Sequence, residues 1–176
     1  HATAFWREGE FQEQESFTGS MSYLLNRMSN CHTLSANYCM VADPCFYHET
    51  PFKAAITDLV KSGQIGMVLM LMGATWQEAP GLQVSYYGKQ TDYDFESRLR
   101  LKLSPLEQIG GEREDKYIKP LATFIADDLG VPTLAVRMSR RYRMPRLQGM
   151  LFNRATELLA EFVNECGAEL TTRQRF

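Results

Sequence analysis

A chain of 176 residues that is 44% hydrophobic holds enough apolar material for one sizeable core or two small ones, without staples. Nineteen Lys and Arg against 21 Asp and Glu give a formal charge of −2 and a pI near 6.0, which excludes an overall basic attraction to nucleic acid and leaves only local patches. The longest apolar run, Ile65 to Met72, is far short of the roughly 20 residues that span a bilayer as a helix, so a soluble protein with no membrane partner is expected. Four cysteines and nine methionines suit a reducing cytoplasm.

The first ten residues, His-Ala-Thr-Ala-Phe-Trp-Arg-Glu-Gly-Glu, lack an apolar signal core and an initiator methionine, and read as a processed or trimmed end. Residues 1 to 17 are polar with scattered aromatics and read as an edge strand or a packing arm. From Thr18 to Met28 the residues Met21, Tyr23, Leu24, Leu25 and Met28 predict a short helix capped near Thr18 or Ser20.

Between Cys31 and Glu49 stand three of the four cysteines and two of the three histidines: Cys31, His32, Cys39, Cys45 and His48. Thiolate and imidazole are the donors a tetrahedral zinc prefers. The intervals between the cysteines, seven and five residues, lack the short Cys-x-x-Cys knuckle of structural zinc sites. Buried free cysteine behaves as a small hydrophobe, so no metal is expected. A thiol- or zinc-dependent enzyme built on this loop is the rival to the main functional reading below.

Thr50 and Pro51 open the best-marked helix. Threonine caps it, proline fits the first turn, and Phe52, Ala55, Ile56, Leu59 and Val60 form one stripe before Gly63. Met67 to Met72 then reads as a buried strand, and Leu82 to Tyr87 as its hairpin return after the Ala79-Pro80-Gly81 turn. From Phe95 to Leu103 the alternation of Leu99, Leu101 and Leu103 with Arg98, Arg100 and Lys102 predicts a third strand with one cationic face. The expected fold is therefore α+β: a small antiparallel three-strand meander with flanking helices, followed by a C-terminal helical region. Gly110-Gly111 divides residues 1–110, a candidate ligand- or partner-binding region, from residues 111–176.

The stretch from Pro120 to Arg146 carries the functional reading. Leu121, Ala122, Ile125, Ala126 and Leu129 recur at helical spacing, Gly130 suits a helix stop with Val131 folding back, and Pro132 suits the first turn of a second helix. Leu134, Ala135, Val136 and Met138 would supply that helix's apolar side. The same letters also read as a helix, a glycine stop and a buried β-strand with Leu134, Val136 and Met138 alternating inward. The following Arg140-Arg141-Tyr142-Arg143 favours the helical version, because a buried strand rarely ends in so much charge. The pattern of Ile125-Ala126, Leu129-Gly130-Val131 and Val136 resembles the helix-turn-helix superfamily of transcription regulators, over residues 120–143 only.

That resemblance implies sequence-specific binding of double-stranded DNA by a transcriptional or replication regulator acting as a homodimer. Arg137, Arg140, Arg141 and Arg143 would meet base edges and phosphates, while Thr133 and Ser139 would donate to backbone oxygens. A final helix from Leu147 to Cys166, with Leu147, Met150, Leu151, Leu158, Leu159, Phe162 and Val163 on one stripe, is the expected dimer contact or a core helix. The chain has no phosphate-binding Gly-x-x-x-x-Gly-Lys, dinucleotide Gly-x-Gly-x-x-Gly, His-Glu-x-x-His or Gly-x-Ser-x-Gly motif. No cofactor is expected, and a protein-interaction module in which the arginines meet an acidic partner is the third reading.

Overall fold

The computed structural model describes residues 5–12, 15–36, 43, 45–63, 65–74, 81–89, 94–106, 109–110 and 119–173. A hairpin of β1 (Phe5–Arg7) and β2 (Glu10–Gln12) leads to α1 (Thr18–Met28) and α2 (Pro51–Lys61). Then come β3 (Val68–Gly73), β4 (Leu82–Tyr87), α3 (Phe95–Leu103) and the two-residue β5 (Ile109–Gly110). The chain ends with α4 (Lys119–Thr123), which runs into a π-helical turn at Phe124–Asp128, followed by β6 (Thr133–Met138), α5 (Arg140–Arg143) and α6 (Pro145–Arg173).

Several elements form where the sequence places them. Thr50 Oγ1 accepts from the Lys53 amide and Pro51 occupies the first turn of α2. The helix from Thr18 starts on a left-handed Phe17 without a side-chain cap, and Thr18 itself donates to the Glu15 carbonyl. Gly130, at φ +70°, ends the turn after α4, and the Val131 amide reaches back to the Ile125 carbonyl, the reversal that favours glycine.

Three expectations are corrected. The sheet is mixed, in the order β3-β6-β4-β5, and is not an antiparallel meander. β6 separates the two strands expected to form a hairpin, running parallel to β3 from Val68↔Thr133 to Gly73↔Met138 and antiparallel to β4 from Leu82↔Met138 to Tyr87↔Thr133. The second helix of the expected helix-turn-helix is therefore a strand. Its composition explains why: Leu134, Ala135 and Val136 are all buried, and a strand apolar on both faces is what the centre of a sheet covered on both sides needs. The charge that argued for a helix lies beyond the strand, in α5.

The third predicted strand is a helix, α3. Phe95, Leu99 and Leu103 are buried at i, i+4 and i+8 while Leu101 is 75% exposed, a helical stripe that the leucine–cation alternation mimics. Asp94 caps it by accepting from the Ser97 amide. Its cations are largely engaged: Arg98 bonds to Glu169, Lys102 to Glu165, and Arg100 to Glu96 and the Val84 carbonyl.

The sheet lies between two helical layers. On one face Leu134, Val136, Met138, Leu82 and Val84 pack with α1, α3 and α6, including Phe152, Leu159 and Phe162. On the other face Met70, Met72 and Ala135 pack with Leu121, Ala122 and Ile125, and with Phe52 and Ile56 of α2. Residues from both sides of Gly110-Gly111 contribute to each layer and to the sheet.

Candidate anion site at the strand ends

In open α/β sheets the crevice beyond the carboxyl ends of parallel strands is where ligands meet loop residues. β3 and β6 end together, and the Ala74 amide donates to the Met138 carbonyl at 2.8 Å. The antiparallel β4 begins at the same edge, where Gly81 accepts from the Ser139 amide at 3.0 Å. Three chain segments thus converge within one residue of the strand termini.

This edge is cationic. Arg137 occupies the penultimate position of β6, in register with Met72 and Gln83, and is half-buried. Ser139 follows two residues on, in extended conformation, so strand alternation puts both side chains on one face. Arg140 and Arg141 are half-buried, with the Arg141 guanidinium 5.2 Å from the centre of the buried Tyr142 ring.

Arg143 is 3% exposed and crosses the edge of the sheet, donating to the Ser16 carbonyl at 2.7 Å and the Ala74 carbonyl at 3.3 Å. Its passage needs a glycine. A Cβ on Gly73 would stand 3.0 Å from Arg143 Cζ and 2.9 Å from Glu15 Cβ.

Ser139 supplies a polar atom that no contact among the described residues uses. The residue is 7% exposed, it makes no side-chain cap on α5, and its Oγ has no hydrogen-bond partner among the described residues. A buried hydroxyl without a partner costs roughly 1–3 kcal/mol, and with Arg137 two residues before it and Arg140 and Arg141 directly after it, an anion is the natural complement.

Of the residues singled out in the sequence, Ser139, Arg140, Arg141 and Arg143 come together here and Arg137 adjoins them. Thr133 is at the opposite end of β6, fully buried, with its hydroxyl donating to the Val131 carbonyl. Gly73, Ala74 and Glu15 were not foreseen. No motif marks them, and they join the cluster only through the pairing of β3 with β6.

The cysteine–histidine loop is arranged differently. Cys31 is half-buried and His32 and His48 are exposed, Cys45 is buried against Met70 and Met72, and Cys39 lies outside the described residues. Among the described residues no group of three His, Cys, Asp or Glu is placed to hold a metal ion. Nearby, Asp43 is fully buried, accepts from Arg7 Nε at 2.6 Å and from the Cys45 amide at 2.8 Å, and forms an ion pair with Arg7. Lys53 is also buried, donates to the Tyr47 carbonyl and lies 5.4 Å over the Phe124 ring. Desolvation holds its ammonium pKa below the usual lysine value, although Cys45, Asp43 and Asp128 pull the other way. These contacts brace the connection between α2 and the N-terminal hairpin.

No helix among the described residues is long and apolar enough to cross a membrane. The chain matches no protein-family model, no curated protein and no solved structure.

Proposed function

We propose that the chain binds a small anionic molecule, one bearing a carboxylate or a phosphate, at the carboxyl ends of β3 and β6. The observation that carries this reading is the buried Ser139 hydroxyl, without a partner among the described residues, in a segment that also carries Arg137, Arg140 and Arg141. Guanidinium groups recognise oxyanions through paired donors, and the hydroxyl adds a donor at the base. Duplex DNA offers the same phosphate chemistry, but the recognition helix that would enter a groove is strand β6, which favours a compact ligand over a duplex.

The test is a thermal-shift and calorimetric titration with inorganic phosphate, succinate and a random-sequence duplex, repeated on Ser139→Ala and on the Arg140→Ala/Arg141→Ala double variant. Binding of phosphate or succinate, weakened by about 10- to 100-fold in the double variant, is expected from the loss of charge-assisted hydrogen bonds worth roughly 1.5–3 kcal/mol each. No response to either small anion, or an unchanged affinity in the double variant, would overturn the proposal. A duplex that binds with a salt slope flattened by the same double variant would restore the DNA reading.

A further inference from the structure

β3 is the edge of the sheet, and among the described residues it has a strand on one side only. The Val68 amide donates to the Pro132 carbonyl and the Ala74 amide to the Met138 carbonyl. The even-numbered residues of β3 therefore turn their N–H and C=O groups toward β6, and Leu69, Leu71 and Gly73 turn theirs outward. The strand reads Val-Leu-Met-Leu-Met-Gly. It carries neither a charge nor a proline, the devices by which exposed edges are usually blocked.

That outward edge is the floor of a cavity of about 330 Å3. Leu25 of α1, Ile56 and Leu59 of α2, and Val163 and Leu170 of α6 belong to its walls, and residues 30–36 border it as well. Both faces of the edge thus open onto apolar side chains, and Glu15, Thr18, Ser22, Asn30 and His32 add polar groups to the lining.

We propose that this groove receives one extended, uncharged, apolar peptide segment of a partner protein, which adds as a further strand alongside β3. The backbone groups select the occupant. A fatty acyl chain would fill the walls but strip water from the outward amides and carbonyls of Leu69, Leu71 and Gly73 and give them no partner. A second copy of the chain would have to bring a sheet edge flanked by its own helices into a cleft already walled by α1, α2 and α6. A lone strand supplies backbone donors and acceptors at the right repeat, as in other cases of strand addition, and its successive side chains meet apolar walls on both faces.

The experiment uses the unaltered protein. A library of displayed random heptapeptides is selected on it, the enriched peptides are synthesised with N-methyl groups at each position in turn, and backbone amide exchange is followed with and without peptide. The expected result is enrichment of uncharged apolar sequences whose affinity falls about tenfold on N-methylation at alternate positions and little at the positions between, with exchange at Leu69 and Leu71 slowed by the peptide. The proposal is overturned if no peptide is enriched, or if N-methylation is tolerated throughout. It is equally overturned if decanoic acid saturates the groove while those two amides exchange as before, or if the peptide-free protein sediments as a dimer with them already protected.

Discussion

Asp43 and Arg7 show how a buried ionised pair ties the N-terminal hairpin to the segment before α2. Both are buried, so removing one leaves the other's charge without its counterion in a low dielectric. Asp43→Ala is expected to lower stability by about 3–5 kcal/mol in urea denaturation, and the Arg7→Met/Asp43→Leu double variant by less. Gly73→Ala would push a methyl against Arg143 and Glu15, at a cost of about 1–3 kcal/mol. Cys166 is 1% exposed, and burial pushes its thiol up to about 11 from 9.0, partly offset by Arg98. A raised folded value favours the protonated form, so its contribution is complete below pH 9 and is lost as pH rises toward 11. The loss should approach ~2–3 kcal/mol, and a pH series of unfolding curves should show it shrinking in Cys166→Ala.

Elements whose periodicity and caps agree were legible in the sequence. α2 is marked by Thr50, Pro51 and its stripe, while β3 and α6 are marked by composition. The failures share one physical cause, a pattern compatible with two periods. Leu99, Leu101 and Leu103 alternate as in a strand, yet Phe95, Leu99 and Leu103 also lie four apart, and Asp94 was the overlooked helix-start signal. Leu101→Lys should therefore be nearly neutral, within about 0.5 kcal/mol, whereas Leu99→Ala should cost about 2–5 kcal/mol. Comparable losses at both positions in denaturant melts would contradict the helix. In β6 the inward alternation of Leu134, Val136 and Met138 was visible as the other reading of the same letters, and the arginines of α5 tipped the choice the wrong way. The cluster at the strand ends was half legible. Its arginines stood out as charge, but the groups that seat Arg143 come from far along the chain: Gly73 at the end of β3, the Ala74 carbonyl after it and the Ser16 carbonyl before α1.

The molecule is held together by β6. It lies beyond Gly110-Gly111 in the chain yet occupies the middle of a sheet whose other long strands precede that dipeptide. The two sides also share a hydrophobic layer, in which Leu82, Leu99 and Leu103 meet Leu134, Leu159 and Phe162. Unfolding in urea is expected to follow a single transition, coincident by far-ultraviolet circular dichroism and by tryptophan fluorescence. Two separated transitions would show that residues 1–110 and 111–176 melt as independent units.

Because Val68 pairs with Thr133, and Leu82 with Met138 on one side and Ile109 on the other, neither β3 nor β4 can acquire its central neighbour before residues 133–138 have been made. The nascent chain must carry two greasy, half-zipped strands until residues 133–138 have left the ribosome, and such distant pairings fold slowly. Synthesis therefore passes through an interval in which a chaperone's attention, or a misplaced strand from a neighbouring polypeptide, decides the yield.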